Sequence, residues 1–259
     1  MRLLELFSGT HSIGFIAKSR GFEITSLDRD LDGKSSIYDY ESNNHLKEDI
    51  LTWDYKQFPV GYFDIITASP VCLFWSNLRN TWIGRKCKSI HPTDIITKEH
   101  ILNDIENKGV PMIKKTMEII EYFNPKFFWI ENPQTGKMKN YFDIEYPYIP
   151  YYDIDYCKYS DWGYKKRTRF WTNIENFKPK LCSNDCNNII VNNKKKMHKY
   201  RMGCDKTIKN KDGELIRCFS KELRLKYKDY ENVNLMRTNK YERYRIPTDL
   251  INELLDNCQ

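Results

Sequence analysis

The sequence predicts an open α/β fold in which successive strands bring their carboxyl ends to one edge, and three observations carry that expectation. Leu3-Leu4-Glu5-Leu6-Phe7 runs into the glycine-containing turn Ser8-Gly9-Thr10-His11-Ser12-Ile13-Gly14, and a helix-like stretch follows and ends on Gly21. Acidic residues stand at the ends of the next strand-like segments, Asp28 in one and Asp49 in the other. Asp64-Ile65-Ile66-Thr67-Ala68 then gives way to Ser69-Pro70-Val71 and a cysteine, Cys72. In open α/β sheets, ligands bind at the edge where such strands end.

The 259 residues, 40% of them hydrophobic, allow one substantial domain with a small appendage. No apolar run approaches the length of a membrane span, so no membrane partner is expected. The start is too short and too acidic for a secretory signal. The expectation is an intracellular protein, not secreted, whose eight cysteines are thiols, ligands or a nucleophile and not a disulfide framework. The net charge of +7 comes from 42 Lys+Arg against 35 Asp+Glu. The basic residues gather at 164–169, 194–201 and 217–245, interleaved with aromatics such as Tyr164, Trp171, Tyr200 and Tyr227. That mixture suits a phosphate backbone and unstacked bases, although a solvated Lys-, Asn-, Ile- and Tyr-rich surface has the same composition.

Taken in order, the first strand, turn and helix form the opening of a nucleotide-type βαβ unit, where backbone N–H groups meet a ligand. The second strand, Phe22-Glu23-Ile24-Thr25-Ser26-Leu27, delivers Asp28 about twenty residues beyond the glycine turn, the place from which an acid binds ribose hydroxyls. A third unit ends in Glu48-Asp49-Ile50. No Gly-x-x-x-x-Gly-Lys-Ser/Thr loop is present, which favours a nucleoside ligand over a nucleoside triphosphate. The fourth strand carries Cys72 just past its end. Most free cysteines are small buried hydrophobes, but a partly exposed thiol near positive charge can serve as a nucleophile.

Residues 77–110 are polar and lack clean periodicity, and are expected to form a mobile loop over the Cys72 edge. Apolar residues at helical spacing predict a helix over 111–123, stopped by Asn124-Pro125. The strand Lys126-Phe127-Phe128-Trp129-Ile130 follows, with Glu131 at its tip and Pro133 behind it. Another strand covers 153–157. In the next, alternation points Arg167 and Arg169 to one side, an arrangement suited to phosphate or a polar base edge. From residue 178 the aliphatic runs thin out, and Cys182, Cys186, His198, Cys204 and Cys218 are scattered among lysines. Cys182-x-x-x-Cys186 with His198 and Cys204 downstream is compatible with zinc or with free thiols, and no metal ligand is assigned. A helix over 248–257 closes the chain.

The ordered set Leu6-Phe7-Ser8-Gly9, Asp28, Asp49, Pro70-Val71-Cys72-(x3)-Ser76, Glu131-Asn132-Pro133 and Arg167-x-Arg169 resembles the C5-cytosine DNA methyltransferases, in particular their short phage- and virus-type members. The resemblance implies a Rossmann-like, class I S-adenosylmethionine-dependent methyltransferase domain over residues 1–177, a small irregular target-recognition region over 178–240, and a segment at 241–259 that returns to the catalytic domain. It implies S-adenosyl-L-methionine held by Phe7, Ser8, Gly9, Thr10, His11 and Ser12, with Asp28 on the ribose, Asp49 and Ile50 at the adenine, and Pro70 beside them. Cys72 would attack C6 of a cytosine flipped out of double-stranded DNA. Glu131 would hold N3 and the exocyclic amine, and Arg167 and Arg169 would position the base. The chain departs from the usual pattern at Val71, where the family has proline, and at Lys165, where it has glutamine. A monomer is the expected state. Two rival readings share the motifs: a catalytically inactive nucleic-acid-binding homologue, and a tRNA cytosine-5 methyltransferase.

Overall fold

The strands alternate their apolar side chains between two cores, one on each face of a central sheet. The computed structural model describes residues 1–30, 42–87, 90–192, 195–199, 206–209, 215–218 and 244–258. Four parallel strands come first: β1 (Arg2–Leu6), β2 (Glu23–Leu27), β3 (Asn44–Leu46) and β4 (Ile65–Ala68). A separate small hairpin, β5 (Lys86–Cys87) and β6 (His91–Ile95), precedes β7 (Phe127–Pro133), β8 (Tyr151–Asp155) and β9 (Arg167–Thr172). The seven-stranded sheet has the order β3-β2-β1-β4-β7-β9-β8, and β9 alone runs against its neighbours.

Because side chains on a strand alternate in direction, Leu3, Ile65, Trp129 and Phe170 enter one core while Leu4, Ile66, Ile130 and Trp171 enter the other. A sheet buried on both faces therefore reads in sequence as near-continuous apolar runs. Each fully buried Leu or Ile contributes about 1.5–3 kcal/mol. Two helices, α1 (Ser12–Ser19) at the start of the chain and α5 (Thr248–Asp256) at its end, cover the first core. Arg20, just after α1, fastens them: its guanidinium donates to Asn252 O at 3.1 Å and to Asp256 Oδ1 at 2.6 Å. The second core lies under α3 (Val110–Phe123) and α4 (Met138–Glu145). In α3, Ile113, Met117, Ile120 and Phe123 form the buried stripe, and Asn124, with φ 47°, ends the helix before Pro125. Among the described residues, no helix is long and apolar enough to cross a membrane.

Residues 77–110 depart from the loop expected of them. They hold a 3₁₀ turn (Asn77–Trp82), the β5–β6 hairpin, α2 (Lys98–Asp104) and a π-helical turn (Ile105–Gly109) leading into α3. A buried polar hub holds them, which hydrophobic periodicity does not reveal. The Asp104 carboxylate receives the Arg79 guanidinium, His91 Nε2 at 2.8 Å and Lys108 Nζ at 2.7 Å. The third predicted unit also shifts: its strand is Asn44–Leu46, and Glu48, Asp49 and Ile50 follow it as a loop.

Beyond residue 178 the chain packs back onto β8. Asp155 N donates to Lys180 O at 3.1 Å, and Asn188 Oδ1 accepts from Gly163 N at 2.9 Å. Two hairpins follow, β10 (Ile189–Asn192) with β11 (Lys195–His198), and β12 (Lys206–Lys209) with β13 (Leu215–Cys218). Cys204, Tyr200, Tyr227 and most of the basic stretch 217–245 lie outside the described residues.

Candidate active site

A cavity of about 350 Å³ opens at the carboxyl ends of β1, β2, β4 and β7, within the size range of small-molecule sites. One half is built by the first turn. Phe7 (φ 56°), Gly9 (φ 42°) and His11 (φ 54°) all adopt left-handed backbone, so the chain coils tightly between β1 and α1. Asp28 locks this coil: its Oδ2 accepts from Gly9 N at 3.0 Å and its Oδ1 from Asp30 N at 2.8 Å. A side chain at residue 9 would be strained by that backbone and would reach to 3.9 Å from Asp28 Oδ2. Glu5, buried on β1, accepts from Ile13 N at 3.3 Å and from Ser26 Oγ at 3.4 Å, and so ties strand, turn and helix together. Asp49 Oδ1 accepts from Leu51 N at 3.0 Å, and the buried Ile50 beside it gives an apolar wall.

The other half carries Cys72, Glu131 and Lys166. The segment from Pro70 to Asn77 is clamped against the chain that follows Glu131. Asn132 Nδ2 donates to Pro70 O at 2.9 Å, Lys137 N to Trp75 O at 2.8 Å, and Asn77 Nδ2 to Thr135 O at 2.6 Å. These bonds fix the cysteine loop relative to Glu131 although Val71 replaces the usual proline. Burial pushes the Cys72 thiol upward and the nearby Glu131 charge adds to that, while the Lys166 ammonium pulls it down. Tyr156 Oη donates to Glu131 Oε1 at 3.1 Å and Lys166 Nζ lies 3.5 Å from the same oxygen. Both contacts fall on Oε1.

Most of the residues singled out in the sequence converge here. Phe7, Ser8, Gly9, Thr10, Ser12, Asp28, Asp49, Ile50 and Pro70 line the cavity, as do Cys72 and Glu131. His11 does not: it is buried behind the turn, its Nδ1 3.8 Å from Glu5 Oε2 and its ring edge-on to His45. Glu131 is not at a strand tip, because β7 continues through Pro133 against β9, with Glu131 opposite Phe170. It stands one residue beyond the last β4 pair, Ala68 with Ile130, and reaches the cavity from there. Arg167 and Arg169 do share a side, but they are not among the cavity-lining residues. Each guanidinium is held by two bonds to the residue opposite it on β8, Arg167 to Asp155 (3.0 and 2.6 Å) and Arg169 to Asp153 (2.7 and 2.9 Å). The residue one step out of phase, Lys166, takes the cavity position instead. Lys166, Glu5, Met112 and Tyr244 are cavity residues that the sequence patterns did not single out; only the alternation around the Arg-x-Arg motif could have pointed to Lys166.

A sheet of this order with one reversed strand, a glycine turn after β1 and acids after β2 and β3 defines a Rossmann-like S-adenosylmethionine-dependent methyltransferase. The cavity fits that cofactor: carboxylates for ribose hydroxyls, an apolar wall for a purine, and a coiled turn that lines the space between them. The chain is 37% identical over 262 residues to a probable DNA (cytosine-5)-methyltransferase of Frog virus 3 (isolate Goorha), with 100% of both chains covered. It belongs to the DNA cytosine-5 methyltransferase family. No family model matches it. Among solved structures it resembles the Entamoeba histolytica methyltransferase EhMeth (13% identity, TM-score 0.48, covering 100% of this chain and 97% of that one). It also resembles the S. pombe Dnmt2 methyltransferase (16% identity, TM-score 0.42), covering 71% of this chain and 52% of that one, so it spans about half of that chain's length.

Proposed function

We propose that the chain methylates C5 of cytosine in double-stranded DNA, with Cys72 as the nucleophile. The observation that supports this reading best is the convergence of Cys72, Glu131 and Lys166 in the same cavity as Asp28 and Asp49. S-adenosylmethionine, when bound, supplies an electrophilic methyl group. Phe7, Gly9, Thr10 and Ser12 would hold its methionine part, Asp28 its ribose, and Asp49 with Ile50 its adenine.

An unactivated aromatic carbon does not accept a methyl group, so the chain's task is to make cytosine C5 electron-rich. Cys72 Sγ adds to C6, forming a carbon–sulfur bond and placing electron density on C5. Glu131 Oε2 engages N3, while Tyr156 and Lys166 keep the other oxygen in place. The Lys166 charge favours the thiolate in a site where burial opposes it. C5 would then take the methyl group that S-adenosylmethionine supplies, whose sulfonium would leave as a neutral thioether. With the C5 proton lost to solvent, Cys72 leaves as the thiolate and restores the ring. Arg167 and Arg169, locked in ion pairs, act here by stiffening the β8–β9 edge. The base reaches this depth only when flipped from the duplex, which takes cationic and aromatic surface around the hole.

Residues 1–177 serve as the catalytic body, 178–240 as target recognition, and 241–259 as the return onto the body. One cavity treating one strand at a time suits a monomer, and a thiol nucleophile acting on DNA suits the reducing interior of a cell. The test is methyl-labelled S-adenosylmethionine with mixed-sequence duplex DNA, wild type beside Cys72→Ala, read by nucleoside analysis. Label on 5-methylcytosine that vanishes in the alanine variant is the expected result. Label on tRNA but not on the duplex would overturn the DNA assignment, and no label with cofactor binding intact would overturn the activity.

A further inference from the structure

Three cysteines and a histidine, none of them lining the Cys72 cavity, meet at one point. Cys157 comes from the 3₁₀ turn that follows β8, Cys182 and Cys186 from the connection to β10, and His198 from the end of β11. Their four ligand atoms all lie within 4.8 Å of one another. His198 Nε2 is 3.2 Å from Cys157 Sγ, 3.5 Å from Cys182 Sγ and 3.4 Å from Cys186 Sγ.

Hydrogen bonding does not account for this convergence. An imidazole nitrogen offers one proton or one lone pair, yet three sulfurs crowd the same nitrogen. A single cation at the centre does account for it. With metal–sulfur bonds of about 2.3 Å and metal–nitrogen bonds of about 2.0 Å at tetrahedral angles, sulfur–nitrogen separations come to about 3.5 Å. We propose that Cys157, Cys182, Cys186 and His198 bind a structural zinc ion. A soft three-sulfur, one-nitrogen tetrahedron selects zinc over the hard cations. Four protein ligands leave no open position, so the ion holds structure and takes no part in the chemistry.

The surroundings are those of a built site. Cys157, Cys182 and His198 are buried and Cys186 is half-buried. Cys182 N donates to Asp155 Oδ2 at 2.7 Å, and Asn188 Nδ2 donates to Cys157 O at 3.0 Å and to Ser160 O at 2.7 Å. Ile189, which follows these bonds, pairs with His198 across the hairpin. Zinc here fastens the root of the segment after residue 178 to the strand whose Asp155 also holds Arg167. The sequence hid the set because Cys157 lies in the preceding unit, far from Cys182 along the chain. Cys204 is not needed to complete it.

The test is metal analysis of the full-length chain purified without added chelator, beside Cys72→Ser, Cys204→Ser and the double variant Cys182→Ser/Cys186→Ser. Wild type, Cys72→Ser and Cys204→Ser each carry about one zinc per chain, and the double variant falls below about a tenth of that. Should the double variant fail to fold, cobalt(II) exchanged into the wild type gives the intense visible bands of a tetrahedral thiolate site. A wild-type chain that carries no zinc and takes up none on dialysis overturns the proposal. So does zinc retained by the folded double variant, zinc lost from Cys204→Ser, or a cobalt spectrum without tetrahedral thiolate bands.

Discussion

Lys166 is the charge that opposes burial at Cys72. Burial holds the Cys72 thiol high, and the Lys166 ammonium works against that burial. Removing the charge in Lys166→Met therefore raises the Cys72 value further. The midpoint pH for alkylation of Cys72 by iodoacetamide moves upward. At neutral pH, labelling slows about tenfold for each whole pH step by which that midpoint rises. Peptide mass spectrometry reads this at Cys72 alone, and an unmoved profile would mean that Lys166 does not tune the thiol. On the cofactor side, Asp28→Ala frees Gly9 N and, on the proposed function, loses the ribose partner. Cofactor affinity falls by about 1–3 kcal/mol in titration calorimetry, with little change in DNA binding. Cys72 and Glu131 were legible in the sequence because each ends a recognisable local pattern. Lys166 was not, because the neighbouring Arg-x-Arg points to the opposite phase of the same strand.

At the scale of elements, the cysteine loop and the turn after β7 form one clamp. Gly136 sits where they touch: a Cβ there would meet Pro133 O at 3.2 Å and Trp75 O at 3.3 Å, both backbone atoms. Gly136→Ala pushes the two apart, and a displacement near the reacting atoms lowers kcat by about 10- to 100-fold while leaving cofactor affinity unchanged; single-turnover kinetics checks it. The 77–110 segment stands on Asp104. Burial alone would push that carboxyl up, but Lys108, His91 and Arg79 outweigh it and hold the carboxyl at about 2. A depressed carboxylate contributes its stability fully above the unfolded value of about 3.9 and loses it as pH falls toward the folded value. Acid unfolding followed by circular dichroism between about pH 4 and 2 thus contains a step that Asp104→Asn lacks. This segment was illegible because short polar pieces joined by ion pairs carry no hydrophobic period.

For the whole molecule, the two cores and the return of α5 set stability. Leu254 is buried in the core that α5 closes over α1. Leu254→Ala leaves a cavity there and costs about 2–5 kcal/mol, read as a lower urea midpoint with an unchanged slope. The sequence by itself determined the α/β class, the glycine turn, the acids after β2 and β3, the cavity cysteine beyond β4 and the closing helix. Each of these rests on neighbouring residues, whose period and turn chemistry are written locally. Tertiary structure alone decided which face of β9 meets the cavity, what holds residues 77–110, and the meeting of Cys157 with Cys182, Cys186 and His198. Those depend on pairings between segments far apart in the chain, and distance along a sequence does not record proximity in a fold.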